Sequence, residues 1–208
     1  MKVLVTGITG MIGSEFAREC RLKGWEVVGI ARPSAASRLE AVQDPSVLRV
    51  DILDREALRD VLRKTKPDCI AHFAAQAFNG ISWQMEDTTH QINYLGTTNL
   101  LVAAREIVPE AKILLACSSA EYGIVKDDEQ PLKEDRALHP LTPYGVTKVA
   151  TENLGYQYFV NYGMKVYLPR LFIHVGTGHP PATMIQNFAR QLALISKGKL
   201  QPPLKVGR

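Results

Sequence analysis

The chain has 208 residues, which is enough for one domain, or for one domain and part of a second, with a sizeable core. Hydrophobic residues make up 46% of it and charged residues 22%, as is typical of globular proteins. The net charge is +4, but lysines and arginines are scattered along the sequence, so no nucleic-acid or lipid surface is predicted. This mild positive balance suits a small polyanionic ligand.

Three widely spaced cysteines, Cys20, Cys69 and Cys117, lie in or beside apolar runs. Their odd number and the lack of a CxxC pattern predict neither a disulfide framework nor a metal site. The first predicted strand begins at Lys2, which leaves no room for a signal peptide, and no apolar run is long enough for a bilayer. We therefore expect a cytoplasmic protein with reduced thiols and no membrane partner.

Apolar, strand-like runs alternate with helix-length segments along the chain. The strand candidates are Lys2–Thr6, Glu26–Ile30, Val47–Val50, Cys69–Phe73, Lys112–Cys117 and Lys165–Arg170. The helix candidates are Ile12–Lys23, Asp54–Lys64, Trp83–Val108, Thr142–Tyr162 and Ala182–Lys197. Most of the strands are almost continuously apolar, as parallel strands covered on both faces are. The pattern predicts an α/β fold with a doubly wound parallel sheet, the Rossmann fold.

The first strand runs into a glycine-rich turn, Thr6-Gly7-Ile8-Thr9-Gly10-Met11-Ile12-Gly13. The first glycine permits a tight turn, the second lets backbone amides approach a pyrophosphate, and the third lets the helix pack closely. A position between strand and helix favours a dinucleotide site over a plain turn. The predicted cofactor contacts here are Gly7, Gly10, Met11, Ile12 and Gly13. The spacing GxxGxxG resembles that of short-chain dehydrogenases/reductases.

The second strand ends in Arg32-Pro33-Ser34 and carries no acidic residue at its tip. An acidic side chain there would bind both ribose hydroxyls and reject a 2′-phosphate. Arg32 and Ser34 offer a cation and a hydroxyl instead, which predicts NADP in preference to NAD. The alternative is a solvated loop arginine.

After the third and fourth strands, the residues again resemble that family. The resemblance implies cofactor contacts at Asp51, Ile52, Ala74, Ala75 and Gln76. His72 is expected to be a packed core histidine rather than a catalytic base. Asn93 falls where the family keeps a structural asparagine, with a plain surface asparagine as the alternative.

Tyr144 and Lys148 lie four residues apart on a predicted helix and therefore share one of its faces. The spacing alone is compatible with a catalytic pair and with an ordinary polar stripe. A nearby ammonium and a charged nicotinamide are expected to lower the pKa of the tyrosine. A hydroxyl at the end of the fifth strand would donate to a substrate carbonyl, and Ser118 and Ser119 are the candidates.

The segment from Pro131 to Lys148, with prolines at 140 and 143, resembles extended short-chain reductases that act on nucleotide sugars. In that family the catalytic serine or threonine lies four residues before the tyrosine of a Tyr-Gly pair. Counting back from Tyr122 gives Ser118. The resemblance therefore implies the catalytic set Ser118, Tyr144 and Lys148.

The C-terminal part, from Arg170 onward, resembles the GDP-mannose branch of this family, which contains 4,6-dehydratases and 4-keto-6-deoxymannose reductases. The dehydratases carry a glutamate two residues after the catalytic Ser/Thr, where this chain has Ala120. Glu121 is expected on a strand, facing the opposite side. The resemblance thus implies NADPH-dependent reduction of GDP-4-keto-6-deoxy-D-mannose, with His174 among the cofactor contacts. Dehydratase and epimerase activities are the alternatives.

Two departures from the family qualify this picture. Ile173 replaces an asparagine that helps hold the substrate diphosphate, and the family continues beyond Arg208. We expect an NADP-binding domain at 1–170 and an incomplete substrate lobe at 171–208. An NADP-binding module without turnover is the non-enzyme alternative. A homodimer is expected through Trp83–Val108 and Thr142–Tyr162, because Leu154, Tyr158 and Tyr162 form an apolar stripe.

Overall fold

A computed structural model describes residues 1–34, 46–176, 179 and 183–206. The chain divides into two compact units, Met1–Ile173 and His174–Arg208. The predicted roles of residues 1–170 and 171–208 remain predictions.

The first unit is built around a parallel sheet. Its strands are β1 (Lys2–Thr6), β2 (Glu26–Ala31), β3 (Val47–Arg49), β4 (Cys69–His72), β5 (Lys112–Leu115), β6 (Cys117–Ser118), β7 (Lys165–Tyr167) and β8 (Arg170–Leu171). Six of them form one sheet in the order β3-β2-β1-β4-β5-β7, and each neighbouring pair is parallel. The other two, β6 and β8, pair in parallel as a separate short sheet.

Helices cover the sheet on both faces. They are α1 (Met11–Leu22), α2 (Arg55–Thr65), α3 (Asn79–Ser82), α4 (Glu86–His90), α5 (Gly96–Ile107) and α6 (Pro143–Tyr162). Successive side chains of β1 point to opposite faces, so Val3 and Val5 join the core under α1, whereas Leu4 joins the core under α2, α5 and α6. The predicted doubly wound Rossmann fold is confirmed.

Two predicted elements are interrupted in the structure. The fifth strand leaves the main sheet after Leu115 and resumes as β6, which pairs with β8 instead. The single helix predicted at Trp83–Val108 is divided by a π-helical turn, Gln91–Leu95, between α4 and α5. That turn carries Asn93 inward, where its side chain is buried.

Side chains cap the first turns of α2 and α6. The Asp54 carboxylate accepts from the Ala57 amide at 2.9 Å and begins α2. Thr142 caps α6 by accepting from the Gly145 amide at 3.0 Å, and Pro143 occupies the first turn, where its missing N–H costs nothing. This cap fixes where Tyr144 enters the helix.

The apolar stripe on α6 packs inside its own unit. Leu154 and Tyr158 belong to the core, and Tyr162 packs against Tyr158 and lies under the guanidinium of Arg105. Of this stripe only Tyr162 keeps an exposed surface, and pairing through it remains a prediction. No helix in the described part of the chain combines the length and apolarity needed to span a bilayer.

In its described residues, the second unit contains one helix, α7 (Met184–Ser196), none of whose side chains is buried. It covers the predicted helix at Ala182–Lys197, although Ala182 lies outside the described residues. Gln191 is joined to the backbone of Lys205 by two hydrogen bonds, of 2.8 and 2.9 Å. The resemblance motif around Thr177 and Gly178, and the end of the chain at Gly207 and Arg208, also lie outside the described residues.

Candidate active site

The glycine turn after β1 is built so tightly that only glycine fits at two of its positions. Gly7 has a φ of +70°, and a Cβ there would lie 2.6 Å from the Ala74 nitrogen. A Cβ at Gly13 would lie 2.3 Å from the Gly7 carbonyl oxygen. Gly10 begins α1 without a side-chain cap, so the first turn of this helix keeps its amides for another acceptor. The turn has the form of an anion cradle.

The end of β2 lies beside this turn, and β3 pairs with β2. The Gly7 amide donates to the Ile30 carbonyl at 3.1 Å, and Arg32 and Ser34 follow as exposed residues. Asp51, also exposed, accepts from the Leu53 amide at 2.9 Å. The predicted contact Ile52 is different, because its side chain is buried under Gly96. Any contact that Ile52 makes with a ligand would therefore come from its backbone.

The segment after β4 is tied to both neighbouring elements. The Ala74 amide donates to Thr6 Oγ1 at 3.2 Å. Asn93 holds Gln76 by accepting from its amide at 2.8 Å and donating to its carbonyl at 3.1 Å. Asn93 also donates to Thr147 on α6 at 2.9 Å. Asn93 is thus the buried structural asparagine that the resemblance implies, and Ala75 lies within the segment it fixes.

Ser118 is the last residue of β6 and is held by a capping box. Its Oγ accepts from the Ala120 amide at 3.2 Å, while Glu121 Oε1 accepts from the Ser118 amide at 2.6 Å. Because Oγ already serves as an acceptor in this turn, the hydroxyl proton is available to another oxygen. Ser119 belongs to the 3₁₀ turn that follows.

The phenol of Tyr144 lies next to the hydroxyl of Ser118. Burial raises the pKa of Tyr144, and a hydrogen bond with the Ser118 hydroxyl acts in the opposite direction without cancelling it. In the protein alone the pKa of Tyr144 is thus raised, and the expected lowering by Lys148 together with a charged nicotinamide remains a prediction. The ammonium of Lys148 lies 5.7 Å from the centre of the tyrosine ring. Tyr144 is protonated at neutral pH, as a proton donor must be.

Lys148 lies one helical turn further along α6 and is buried. Its Nζ donates to the Ala116 carbonyl at 2.6 Å, at the break between β5 and β6. Burial lowers the pKa of Lys148, and the nearby groups Cys117 and Glu121 oppose this shift. The interruption of the strand at Ala116 therefore supplies the acceptor that orients the ammonium.

His72 is a core residue, as expected. Its ring is buried between Thr6 Oγ1 at 2.7 Å and Thr97 Oγ1 at 3.0 Å. Burial, and secondarily the charge of Lys148, lowers the pKa of His72 to about 3. A histidine held neutral between two hydroxyls supports the sheet end and contributes no proton at neutral pH.

Glu121 does not lie on a strand, contrary to the expectation. It ends the 3₁₀ turn Ser119–Glu121 and is fully buried behind Ser118, facing Glu152 and Arg170. Glu152 and Arg170 were missed by the sequence analysis. The available signal was that Tyr144, Lys148 and Glu152 recur every four residues along one helix face.

The three residues of the implied catalytic set thus lie together, whereas His174 falls in the second unit, where it is exposed. Its predicted contact with a cofactor remains a prediction. The cradle at Gly7 and Gly13, the exposed cation Arg32, and the segment fixed by Asn93 fit a dinucleotide. The Ser118 hydroxyl, the Tyr144 phenol and the Lys148 ammonium can together polarise and protonate a carbonyl oxygen.

Comparisons with known proteins agree with this geometry. The family described as GDP-mannose 4,6 dehydratase matches residues 4–208. The GDP-6-deoxy-D-mannose reductase of Pseudomonas aeruginosa is 30% identical over 206 residues, which are 99% of this chain and 63% of that protein. A GDP-mannose 4,6-dehydratase of Vibrio cholerae is 31% identical, over 95% of this chain and 56% of that protein.

Solved structures with the same fold include RMD from Pseudomonas aeruginosa complexed with NADPH. It has a TM-score of 0.80 and 29% identity, over 96% of this chain and 62% of that one. A UDP-glucose 4-epimerase from Brucella ovis in complex with NAD has a TM-score of 0.81 and 30% identity, again over 96% and 62%. The chain therefore spans less than two thirds of the length of these relatives.

Proposed function

Because the chain belongs to the GDP-mannose 4,6 dehydratase family, within the extended short-chain dehydrogenases/reductases, we propose that it reduces a 4-keto nucleotide sugar. The preferred substrate is GDP-4-keto-6-deoxy-D-mannose, and the reductant is NADPH. This proposal rests on one observation, which is that the side chains of Ser118, Tyr144 and Lys148 lie close together next to the glycine cradle.

Each residue of the set has a distinct role in this proposal. Bound NADPH would be the source of the hydride for the C4 carbonyl carbon. The Tyr144 phenol donates its proton to the carbonyl oxygen, and the Ser118 hydroxyl holds that oxygen in place. The buried ammonium of Lys148 stabilises the phenolate that remains and would hold the cofactor ribose. A tyrosine whose pKa is raised by burial suits the direction of reduction, since it enters the reaction protonated.

Reduction is favoured over dehydration by the residue at position 120. Elimination of water by the related dehydratases uses a glutamate at that position, and Ala120 has no carboxylate. The neighbouring Glu121 does not replace it, because one of its oxygens accepts from the Ser118 amide and the other lies 3.7 Å from Arg170 Nε. Dehydratase activity on GDP-mannose is the second candidate, supported by the Vibrio cholerae relative.

NADP rather than NAD is proposed on the strength of Arg32 and Ser34, which follow β2 as exposed residues beside the cradle. A guanidinium and a hydroxyl can both bind a 2′-phosphate. The NADPH complex of the Pseudomonas aeruginosa protein supports this choice, whereas the NAD complex of the epimerase keeps NAD as the alternative.

A homodimer is also proposed, through a surface different from the predicted stripe. Tyr156, Phe159 and Val160 on α6 are more than half exposed, and Tyr94 and Leu95 expose 44% each beside them. Neighbouring apolar side chains on two adjacent helices form a patch of the kind that proteins cover by association. We name these five residues the helical patch.

The activity is tested by mixing the protein with NADPH and either GDP-4-keto-6-deoxy-D-mannose or GDP-mannose. The proposal expects NADPH absorbance to fall with the keto sugar and to stay constant with GDP-mannose. Formation of a 4-keto sugar from GDP-mannose in the presence of NADP would establish the dehydratase instead. Binding of NADPH without turnover of either sugar would establish the binding module.

A further inference from the structure

Glu121 is a fully buried carboxyl group with only one of its oxygens satisfied. Its relative exposure is 0%, and its Oε1 accepts from the Ser118 amide at 2.6 Å. Among the described residues, Oε2 is the one buried side-chain polar atom that has no hydrogen-bond partner. A buried carboxylate oxygen without a donor destabilises the fold, so a group at this position requires an explanation.

The neighbouring charges do not balance two carboxylates. Arg170 binds Glu152 with two hydrogen bonds, from Nε at 2.8 Å and from Nη2 at 2.6 Å. Its Nε lies 3.7 Å from Glu121 Oε2, which is too far for a hydrogen bond. The guanidinium of Arg170 thus lies near the carboxyl groups of Glu121 and Glu152 but, of these two, forms hydrogen bonds with Glu152 alone.

The other titratable groups around Glu121 do not supply the missing charge. They are Cys117 on β6, Tyr122 after the turn, and Tyr144 and Lys148 on α6. The Tyr122 hydroxyl accepts from Arg170 Nη1 at 3.1 Å, and Lys148 donates to the Ala116 carbonyl. The remaining groups are neutral, so Lys148 and Arg170 are the cations near this site, and both already have partners.

We propose that Glu121 carries a proton at neutral pH and donates it from Oε2 to a carboxylate oxygen of Glu152. The pair then holds one negative charge, which Arg170 neutralises. The proton gives Oε2 its missing partner, and Glu121 becomes a positioning residue that anchors the backbone of Ser118. The part that concerns Ser118 in catalysis rests on the proposed function.

The electrostatics of the two carboxyl groups agree with this arrangement. Burial, followed by the interaction with Glu152, raises the pKa of Glu121 to about 8. Burial also acts to raise the pKa of Glu152, but the interactions with Arg170 and Glu121 outweigh it and leave that pKa lowered. One carboxyl group thus keeps a proton while its partner remains ionised.

A metal ion would be the other way to satisfy these oxygens. One ligand atom from each of Cys117, Glu121 and Glu152 lies within 4.8 Å of the other two. However, both oxygens of Glu152 already accept from Arg170, and a guanidinium beside the site repels a cation. Burial also raises the pKa of Cys117, which disfavours the thiolate that a metal requires. A proton satisfies the cluster with no added charge.

Glu121→Gln reproduces the protonated state without a titratable group. Its amide oxygen can accept from the Ser118 amide, and its NH₂ group can donate to Glu152. Because Glu121 has a raised pKa in the folded protein, it stabilises the fold at low pH. This stabilisation is lost as the pH rises from the ordinary glutamate pKa through the raised one. The glutamine variant does not lose it.

The test compares the unfolding equilibria of wild type and Glu121→Gln from about pH 5 to about pH 9, without substrate or cofactor. The folding equilibrium constant of the variant, divided by that of wild type, should increase with pH by up to about tenfold per pH unit. This increase should end at about pH 8. Wild type and variant differ at position 121 alone, so contributions from groups distant from it cancel in the ratio. A ratio that stays constant with pH would overturn the proposal, because Glu121 would then be ionised in both states.

Two further comparisons complete this test. Glu129→Gln removes an exposed glutamate whose pKa is lowered. The folding equilibrium constant of this variant, divided by that of wild type, should not change above about pH 5. If the chain reduces the keto sugar, wild-type kcat should fall above about pH 8, whereas that of Glu121→Gln should not. Identical kcat profiles would refute the positioning role, whereas absence of turnover in wild type would count against the proposed function alone.

Discussion

Lys148 Nζ donates a 2.6 Å hydrogen bond to the carbonyl oxygen of Ala116, and this bond joins α6 to the break between β5 and β6. The ammonium is thereby fixed beside Tyr144 and close to Ser118 before any ligand binds. A buried lysine with one defined acceptor is a preorganised cation, and its removal should affect binding as well as chemistry.

Lys148→Met keeps most of the side-chain volume and deletes the ammonium. We expect roughly ten- to hundredfold weaker NADPH binding, because a charged hydrogen bond to the ribose is lost. Turnover should fall as well, because the phenolate loses its cation. Calorimetric titration measures the first effect. Lys165→Met, which removes an exposed lysine paired with Glu110, is the control and should bind NADPH normally.

Arg32→Ala should weaken NADPH binding roughly ten- to hundredfold and leave NADH binding unchanged, because only NADPH carries the 2′-phosphate. Titration of the variant with both cofactors measures the change in preference. Arg63→Ala removes an exposed arginine from α2 and should alter neither affinity. Tighter binding of NADH than of NADPH by wild type would refute the assignment of Arg32.

Gly13→Ala should destabilise the first unit by about 1–3 kcal/mol and abolish tight NADPH binding. The reason is steric, since the new Cβ would lie 2.3 Å from the Gly7 carbonyl oxygen and would force the cradle open. Chemical denaturation gives the free energy of unfolding. Gly80→Ala serves as the control, because nothing lies within 4 Å of the added methyl group. Equal stability of the two variants would contradict this account of the turn.

Phe159→Glu places a charge in the helical patch. If this patch pairs two chains, the substitution should convert a dimer into a monomer, because a buried unpaired carboxylate is costly. Light scattering at micromolar concentration gives the mass. Leu22→Glu alters an exposed leucine on α1 outside the patch and should leave the mass unchanged. A wild-type monomer under the same conditions would rule out the pairing.

The sequence predicted those parts of the fold that depend on local patterns. The bounds of β1 match because a short apolar run between Met1 and a glycine turn has few alternatives. The shared helix face of Tyr144 and Lys148 follows from helical geometry alone. Caps such as Asp54 were likewise predictable, since a carboxylate before a helix finds free amides there.

What the sequence did not predict depends on contacts between distant residues. The strand break at Ala116 arises because Cys117 pairs with Arg170 instead of continuing beside β4. The π-helical turn at Asn93 is stabilised by bonds to Gln76 and Thr147, which lie in other elements. The orientation of Glu121 depends on Glu152 and Arg170 in the same way. Strand alternation, on which its expected orientation rested, does not apply in a 3₁₀ turn.

The measurement that tests the central claim most directly is NADPH oxidation by wild type and Tyr144→Phe with GDP-4-keto-6-deoxy-D-mannose. Deleting the proton donor should lower kcat by about a hundred- to ten-thousandfold while NADPH affinity is kept. Tyr167→Phe, which removes an exposed hydroxyl from β7, should retain wild-type kcat. If Tyr144→Phe reduces the keto sugar as fast as wild type does, Tyr144 is not the proton donor and the assigned catalytic set is wrong.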